Sequence, residues 1–208
     1  MTLPGVILAG GLATRMGGGD KGLRDLGGKP ILGHVIDRLA PQANPVALNA
    51  NGDPARFADW GLPVLPDTIE GFAGPLAGVL AGLDWAAGQG AEAIVTVAAD
   101  TPFFPTDLVA RLQAARVQTG QPIALAASPD AGRKSGLGRH PTFGLWPVAL
   151  RDDLRAALGG GLRKVVLWTD RHGCATALFE EPGPDPFFNV NTPDDLTAAR
   201  ARLEKAQA

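Results

Sequence analysis

The segment from Ala93 to Asp100 constrains the fold of this chain more than any other part of the sequence. It reads Ala-Ile-Val-Thr-Val-Ala-Ala-Asp, so the side chains on both faces of an extended strand would be mostly apolar. Such a run is typical of a central strand in a parallel sheet, because helices cover both faces of that kind of sheet. We therefore predict a buried strand here, with Asp100 at its carboxyl end.

Shorter apolar segments and helical patterns alternate along the rest of the chain. Pro30 and Pro193 stand at predicted helix starts, and further helices are predicted at 75–87, 105–117, 148–158 and 162–168. The other predicted strands are 6–9, 45–49, 63–67, 123–126, 142–146 and 175–179. This alternation predicts an α/β fold with a largely parallel sheet.

The composition of the 208 residues limits the class of protein, and we predict a single domain over 1–208. A net charge of −2 disfavours a long nucleic acid as a partner. Cys174 is the single cysteine, which excludes an intrachain disulfide and a thiolate zinc site. No apolar run reaches the roughly 20 residues that span a bilayer, and the first residues do not resemble a signal peptide. We therefore expect a cytoplasmic protein without a membrane partner.

A glycine-rich loop follows the first predicted strand and runs from Leu8 to Lys21. Glycines let backbone N–H groups approach phosphate oxygens closely, and Arg15 and Lys21 add positive charge, so the loop suits a triphosphate. A Walker loop is excluded because Gly22 follows Lys21 where Ser or Thr is required. The stretch 17–22 fits the pattern GxGxxG, but it neither follows the strand directly nor opens the next helix, which disfavours a dinucleotide. The alternative is an exposed connection without a ligand.

Three polar residues end predicted strands, namely Asn49, Asp67 and Asp100. Ligands of open α/β sheets bind at the carboxyl ends of the strands. Mg²⁺ binds nucleotides through one or two carboxylates together with phosphate oxygens, and Asp100 is held there by the most apolar strand. Structural alternatives stay open, because Asn49 could form an Asx turn, Asp67 a turn or helix cap, and Asp100 a cap for the following turn.

The glycine-rich loop resembles the signature of the molybdenum cofactor guanylyltransferases, the MobA family. The residues that carry the resemblance are Leu8-Ala9-Gly10-Gly11, Arg15-Met16-Gly17-Gly18 and Asp20-Lys21. Gly10 is what the guanylyl branch shows, whereas the cytidylyl branch keeps Ala there. Further matches extend from Gly5 to Arg202 and include 27–30, 49–51, 66–67, 74–78, 100–102, 140–141 and 189–193.

The resemblance implies a Rossmann-like three-layer sandwich that uses GTP as donor and Mg²⁺ as cofactor. The implied reaction attaches GMP to the terminal phosphate of molybdopterin or Mo-molybdopterin and releases pyrophosphate. It also makes other cofactor-biosynthesis proteins and the recipient molybdoenzymes candidate partners. The implied catalytic residues are Arg15, Lys21 and Asp100, with the metal on Asp100. The implied GTP-binding residues are Leu8, Ala9, Gly10, Lys21, Asn49, Asp67 and Asp100.

The acceptor side is predicted from later parts of the chain. By resemblance, Asn189 and Asn191 help to bind the molybdopterin, and the alternative is that they form turns around Thr192. His140 either positions the acceptor or begins a strand. The stretch 128–139 is polar, rich in glycine and basic, and it is predicted to be a loop that either closes over an anionic acceptor or is merely solvated.

One position departs from the family pattern. Many members have a basic residue after Asn-x-Asn, whereas Gly52 follows Asn51 here. Any contact that the basic residue makes with phosphate or acceptor is therefore absent from position 52.

Three other functions stay open at the level of the sequence. The same fold also suits a cytidylyltransferase or a sugar-phosphate nucleotidyltransferase, and comparison of GTP with CTP would separate these from a guanylyltransferase. A non-catalytic GTP-binding module would bind GTP without releasing pyrophosphate. An NAD-dependent oxidoreductase would respond to NADH rather than to GTP.

Overall fold

A seven-stranded sheet forms the centre of the molecule. The computed structural model describes residues 2–10, 20–69, 71, 74–180 and 182–207, with side chains up to 205. The strands of the sheet lie in the order β5-β4-β1-β6-β8-β7-β9. They are β1 (Gly5–Leu8), β4 (Val46–Asn49), β5 (Val64–Leu65), β6 (Ala93–Ala98), β7 (Ile123–Pro129), β8 (Leu137–Pro147) and β9 (Cys174–Leu178), while β2 (Asp25–Leu26) and β3 (Lys29–Pro30) form a separate hairpin.

Only β8 runs against the other strands of the main sheet. It pairs antiparallel with β6 and with β7, whereas β1 pairs parallel with β4 and β6, β4 with β5, and β7 with β9. The run from Ala93 forms β6, in which every residue is buried, as its apolar composition on both faces predicts. The prediction of an α/β fold with a mostly parallel sheet is confirmed.

Helices cover both faces of this sheet. They are α1 (Ile31–Leu39), α2 (Pro75–Ala87), α3 (Leu108–Thr119), α4 (Arg151–Gly159), α5 (Val165–His172) and α6 (Pro193–Gln207). Successive side chains of a strand point to opposite faces, so Ile7 packs into the core under α1 and α3, and Val6 packs into the core under α2, α4 and α5. The result is the predicted three-layer sandwich. No helix of the described residues is both long and apolar enough to cross a membrane.

The predicted loop over 128–139 is present but shorter than expected. Strand β7 continues to Pro129 and β8 begins at Leu137, so a turn of residues 130–136 joins them. The Asp130 carboxylate closes this turn by accepting from the Gly132 N–H and from Arg133 Nε, both at 3.0 Å. Strand pairing overrides the local composition only at the two ends of the stretch, 128–129 and 137–139, whereas Gly132, Arg133 and Gly136 lie in the turn as their composition suggests.

The connection between β1 and α1 has more local structure than the sequence suggested. A short 3₁₀ helix spans Lys21–Leu23, and the hairpin of β2 and β3 follows it. Gly27 and Gly28 form the hairpin turn with φ angles of 68° and 86°. Two successive residues at positive φ are what a tight hairpin turn requires, and glycine adopts that conformation without steric cost.

The parallel half of the sheet places several chain segments at one edge. Leu8 is in register with Asn49 of β4 and with Ala98 of β6, and Asn49 is in register with Leu65 of β5. The residues that follow these strands therefore emerge side by side. This edge is the position at which open α/β sheets bind ligands.

Candidate active site

A cavity of about 720 Å³ lies at the carboxyl edge of β1, β4, β5 and β6. Its walls include all of the residues predicted for GTP binding, namely Leu8, Ala9, Gly10, Lys21, Asn49, Asp67 and Asp100. Asp20, Asn51 and Arg56 line it as well. Arg15, predicted to be catalytic, lies outside the residues that the structure describes.

One wall of the cavity is a closed group of three polar side chains, which we call the nucleotide side: Asn49, Asn51 and Asp67. Asn49 Nδ2 donates to Asp67 Oδ1 at 2.9 Å, and Asn51 Nδ2 donates to Asp67 Oδ2 at 2.8 Å. The Asn51 amide oxygen in turn accepts from the Asp67 backbone N–H at 2.8 Å. Each carboxylate oxygen thus has an amide donor, which fixes the rotamers of all three side chains.

The Asn49 side chain is pressed against helix α2. It is 3% exposed, and its Nδ2 also donates to the Leu65 carbonyl at 3.0 Å. A Cβ added to Gly78 of α2 would overlap the Asn49 amide and would lie 2.8 Å from Leu8 Cδ2. Glycine at 78 therefore lets the helix backbone approach the end of β4 closely enough to immobilise the amide.

A second group of polar side chains, which we call the acceptor side, consists of Asp100, which lines the cavity, together with Thr101, Asn189 and Asn191, which are linked to Asp100 or to Lys21 through hydrogen bonds. The Thr101 hydroxyl donates to Asn189 Oδ1 at 2.5 Å, and the Val190 N–H donates to the Asp100 carbonyl at 2.8 Å. These bonds attach the segment before α6 directly to the end of β6. The residues predicted to bind the acceptor therefore lie beside the carboxylate predicted to bind the metal.

Lys21, at the end of the glycine-rich loop, contacts the acceptor side. Its Nζ donates to Asn191 Oδ1 at 2.6 Å and lies 3.8 Å from Asp100 Oδ2. Burial raises the pKa of Asp100, and the charge of Lys21 opposes that rise. An ammonium and a carboxylate held in this way can offset opposite charges of a bound metal–triphosphate complex.

The first turn of α6 positions Asn191. Asp195 accepts from the backbone N–H groups of Asn191 and Thr192, each at 2.9 Å, and its own N–H donates to Thr192 Oγ1 at 3.1 Å. This is a reciprocal capping arrangement of the kind that the sequence Thr192-Pro193-Asp194-Asp195 predicts. These contacts lower the pKa of Asp195, chiefly through the hydrogen bond from the Asn191 N–H.

His140 lies within β8, near its start, as one of the two predicted alternatives has it. Its Nε2 is 2.8 Å from Ser128 Oγ, and its ring stacks on Phe187 with the centroids 4.1 Å apart. Burial is the main cause of its lowered pKa, and the charge of Asp185 opposes the change. Thr142 of the same strand lines the cavity. His140 instead stacks on Phe187, in the segment that leads to α6. A role of His140 toward the acceptor stays a prediction.

Two of the three basic residues of the 128–139 stretch form ion pairs within the protein. Arg133 pairs with Asp130, and Arg139 Nη1 lies 2.8 Å from Asp170 Oδ1. Because these cations are engaged in the hairpin and with α5, the structure gives no support to a loop that closes over the acceptor.

The site offers Mg²⁺ one carboxylate, that of Asp100, beside Lys21. Among the described residues, no group of three or more His, Cys, Asp or Glu side chains could hold a metal by itself. Magnesium keeps several waters and takes most of its remaining ligands from substrate phosphates, so a single aspartate at the cavity wall fits its needs. Asp100 is that residue, and its role stays a prediction.

The sequence analysis assigned no role to three polar residues of the cavity, namely Asp20, Asn51 and Arg56. Asp20 and Asn51 lie inside the matching motifs, so a role could have been proposed for them. Arg56 carries no motif, and its position depends on how the chain folds back after Asp53. Gly52 stands where many family members have a basic residue. It was the one feature of the sequence that suggested a cation from another position in the chain.

Comparison with known proteins gives a consistent result. The model of a MobA-like NTP transferase domain matches residues 5–173. A molybdenum cofactor guanylyltransferase from Bradyrhizobium sp. is 56% identical over 200 residues, which are 95% of this chain and 91% of that protein.

Two solved structures share the fold. The molybdopterin-guanine dinucleotide biosynthesis protein A of Archaeoglobus fulgidus has a TM-score of 0.74 at 20% identity, with 98% of this chain and all of that chain covered. A 4-diphosphocytidyl-2C-methyl-D-erythritol synthase from Anaerococcus prevotii has a TM-score of 0.72 at 13% identity, with 98% and 96% covered. At these identities the likeness concerns the fold alone.

Proposed function

Because this chain belongs to the MobA-like NTP transferase family, we propose that it is a molybdenum cofactor guanylyltransferase. It transfers GMP from GTP to the terminal phosphate of molybdopterin, which gives molybdopterin guanine dinucleotide and pyrophosphate. The observation that carries the proposal is a cavity lined by the two described ends of the glycine-rich loop, by the nucleotide side and by Asp100 of the acceptor side. The identity to relatives of that name supports the choice of substrates.

The reaction is a displacement at the α-phosphorus of GTP. A phosphate oxygen of the acceptor forms the new P–O bond, the bond from the α-phosphorus to the bridging oxygen breaks, and pyrophosphate leaves with those electrons. The acceptor monoester is already largely dianionic near neutral pH, because its second pKa is about 6. No strong general base is therefore needed, and catalysis rests on alignment and charge neutralisation.

The donor is held by the nucleotide side and the loop. Glycine in the loop leaves room for backbone N–H groups to contact the triphosphate, and Lys21 places an ammonium beside it. Asn49 and Asp67 bind the nucleoside through amide and carboxylate groups whose orientation is already fixed. Asp100 would hold Mg²⁺, which when bound supplies positive charge to the triphosphate and to the leaving pyrophosphate.

The acceptor is held next to the donor by Asn189 and Asn191. Since Lys21 donates to Asn191, the same ammonium that faces the triphosphate also touches the acceptor side. This arrangement would bring the attacking phosphate oxygen to the α-phosphorus and offset the repulsion between two anions. Arg15 is proposed to add a further positive charge from the loop.

The proposal also includes the domain organisation, the cellular location and the protein partners. A single nucleotidyltransferase domain over 1–208 is supported by one sheet that includes strands from Gly5 to Leu178. A cytoplasmic location is supported by the use of GTP as donor. Cofactor-biosynthesis proteins and recipient molybdoenzymes stay predicted partners.

Incubation of the protein with GTP, Mg²⁺ and molybdopterin tests the proposal directly. Mass spectrometry should detect the acceptor with one GMP added, and pyrophosphate should appear in equal amount. Parallel reactions with CTP and with sugar phosphates as acceptors serve as controls. Product from CTP but not from GTP would mark a cytidylyltransferase, and GTP binding without pyrophosphate would mark a non-catalytic module.

A further inference from the structure

Arg56 is a cation of the cavity to which the family resemblance assigns no role. It lies in the first turn of the 3₁₀ helix Pro54–Trp60, and its side chain is 28% exposed. Among the described residues, the acids that line the cavity are Asp20, Asp67 and Asp100, and the basic residues are Lys21 and Arg56. Arg56 therefore contributes one of two positive charges to this part of the wall.

The guanidinium of Arg56 connects two segments that carry substrate-binding residues. Its Nε donates to Asp20 Oδ2 at 2.5 Å, and its Nη2 donates to the Asn51 carbonyl at 2.5 Å. Its Nη1 donates to the Asp53 carbonyl at 2.5 Å. Asp20 directly precedes Lys21 of the phosphate loop, and Asn51 belongs to the nucleotide side. We call this set of three bonds the Arg56 tether.

The short helix that carries Arg56 is itself firmly placed. Asp53 caps it by accepting from the Ala55 N–H at 2.9 Å, and Phe57, which is 2% exposed, anchors it in the core. The Arg56 guanidinium lies over the Phe57 ring, 4.6 Å from the centroid. A planar guanidinium with several fixed acceptors loses little further freedom, so it can hold two chain segments at a defined separation.

Gly52 lies close to the Arg56 tether. Its φ angle is 84°, and a Cβ built on it would lie 3.3 Å from Arg56 Nη1. A side chain at 52 would therefore be strained and would crowd the guanidinium. Position 52 lacks a basic residue, and Arg56 lies beside the same stretch of chain. These two features belong to one arrangement.

We infer that Arg56 is a positioning residue for GTP binding, which fixes the phosphate loop at Asp20 against the nucleotide side at Asn51. This inference rests on the proposed function, because it assumes that GTP occupies the cavity. The tether acts through Asp20, so loss of either partner should weaken GTP binding in the same way. If Arg56 instead contacted the nucleotide directly, removal of the Asp20 charge would leave GTP affinity unchanged or would improve it.

A double-mutant cycle on Arg56 and Asp20 separates these two roles. GTP affinity with Mg²⁺ is measured by calorimetry for the wild type, Arg56→Ala, Asp20→Ala and the double variant. Loss of charge-assisted hydrogen bonds predicts that each single variant binds GTP on the order of tenfold more weakly. The double variant should be no weaker than the worse single variant, because both remove the same connection.

Two further variants keep the test clear of simple unfolding. Arg56→Lys retains the charge but not the planar donor set, so its GTP affinity should fall between those of wild type and Arg56→Ala. Arg155→Ala is the matched control, since Arg155 also lies 2.5 Å from an aspartate, Asp84, but outside the cavity. It should leave GTP affinity unchanged, and thermal melting should show every variant to be folded.

The outcomes distinguish this inference from the proposed function. A wild-type protein that fails to bind GTP contradicts the proposed function itself. A wild type that binds GTP while Arg56→Ala binds it equally well overturns the tether alone. Weak binding by Arg56→Ala with normal or tighter binding by Asp20→Ala also overturns it, and would assign Arg56 to the nucleotide.

Discussion

The nucleotide side and the acceptor side are built in different ways. On the nucleotide side, the bonded residues are close in sequence, with 16 positions between Asn51 and Asp67 and 18 between Asn49 and Asp67. On the acceptor side, Thr101 bonds to Asn189 across 88 positions, and Lys21 to Asn191 across 170. The first side is thus formed by neighbouring strand ends, whereas the second requires the chain before α6 to return to the sheet.

This difference implies that the proposed nucleotide and acceptor sites can be perturbed separately. Changes on the nucleotide side should alter GTP binding and leave the acceptor alone, and the reverse should hold for the acceptor side. Asp100 and Lys21 lie where the two sides meet, so changes there should affect the reaction as a whole. The following experiments test this separation.

Removal of the Asp100 carboxylate should have the largest effect. Asp100→Ala takes away the proposed metal ligand and the partner of Lys21, so turnover should fall by on the order of 100-fold or more. Pyrophosphate release measures turnover, and circular dichroism checks the fold. Unchanged turnover in a folded variant would contradict the metal assignment.

A methyl group at Gly78 should disturb the nucleotide side through packing. Gly78→Ala would force the Asn49 amide out of place, which should destabilise the fold by roughly 1–3 kcal/mol and weaken GTP binding. Gly159→Ala in α4 is the matched control, because an added Cβ there meets nothing within 4 Å. Denaturant unfolding and calorimetry report the two effects, and equal behaviour of the two variants would contradict the close approach of α2.

Replacement of one asparagine on each side by alanine should separate the effects on the KM values of the two substrates most clearly. Asn49→Ala should raise the KM for GTP by roughly tenfold, as expected for loss of one hydrogen-bonded contact, and should leave the acceptor KM near normal. Asn191→Ala should raise the acceptor KM by a similar factor. Steady-state kinetics with each substrate varied in turn is the measurement. Equal changes in both KM values for either variant would show that the two sides are not independent.

The smallest expected effect concerns pH. Burial lowers the pKa of His140, so the folded state favours the neutral ring, and the unfolded chain binds the proton first as pH falls below about 6.5. His140 should therefore add a loss of stability that is absent at pH 8 and grows as the pH falls toward 5. Tm measured across this range should decline less for His140→Asn than for wild type. If the curves of Tm against pH run parallel for the two proteins, His140 does not contribute to the pH dependence of stability.

The main sheet and the nucleotide side were accessible from the sequence for physical reasons. Ala93–Asp100 is apolar on both faces, and only a central strand satisfies that pattern. Because parallel strands share one carboxyl edge, Asn49, Asp67 and Asp100 had to emerge together. The resemblance supplied Asn189 and Asn191, which no local pattern could have brought to Asp100 across such a distance along the chain.

Other features depend on contacts that no local pattern encodes. The composition of 128–139 is typical of loops, yet pairing between β7 and β8 takes up both ends of it and leaves 130–136 as the turn. Arg56 meets Asp20 only because the chain turns back after Gly52 and a buried Phe57 fixes the short helix. Such placements follow from tertiary packing, which overrides or lies beyond the local signal.

The bond between Lys21 and Asn191 has a consequence for the order in which the enzyme is completed on the ribosome. Translation delivers the lysine early and the asparagine near the last helix, so the ammonium has no such partner during most of synthesis. A nascent or truncated chain that stops before the asparagine would lack this contact, whatever affinity for GTP it had already gained. The protein would then become able to join the two substrates only late in its synthesis.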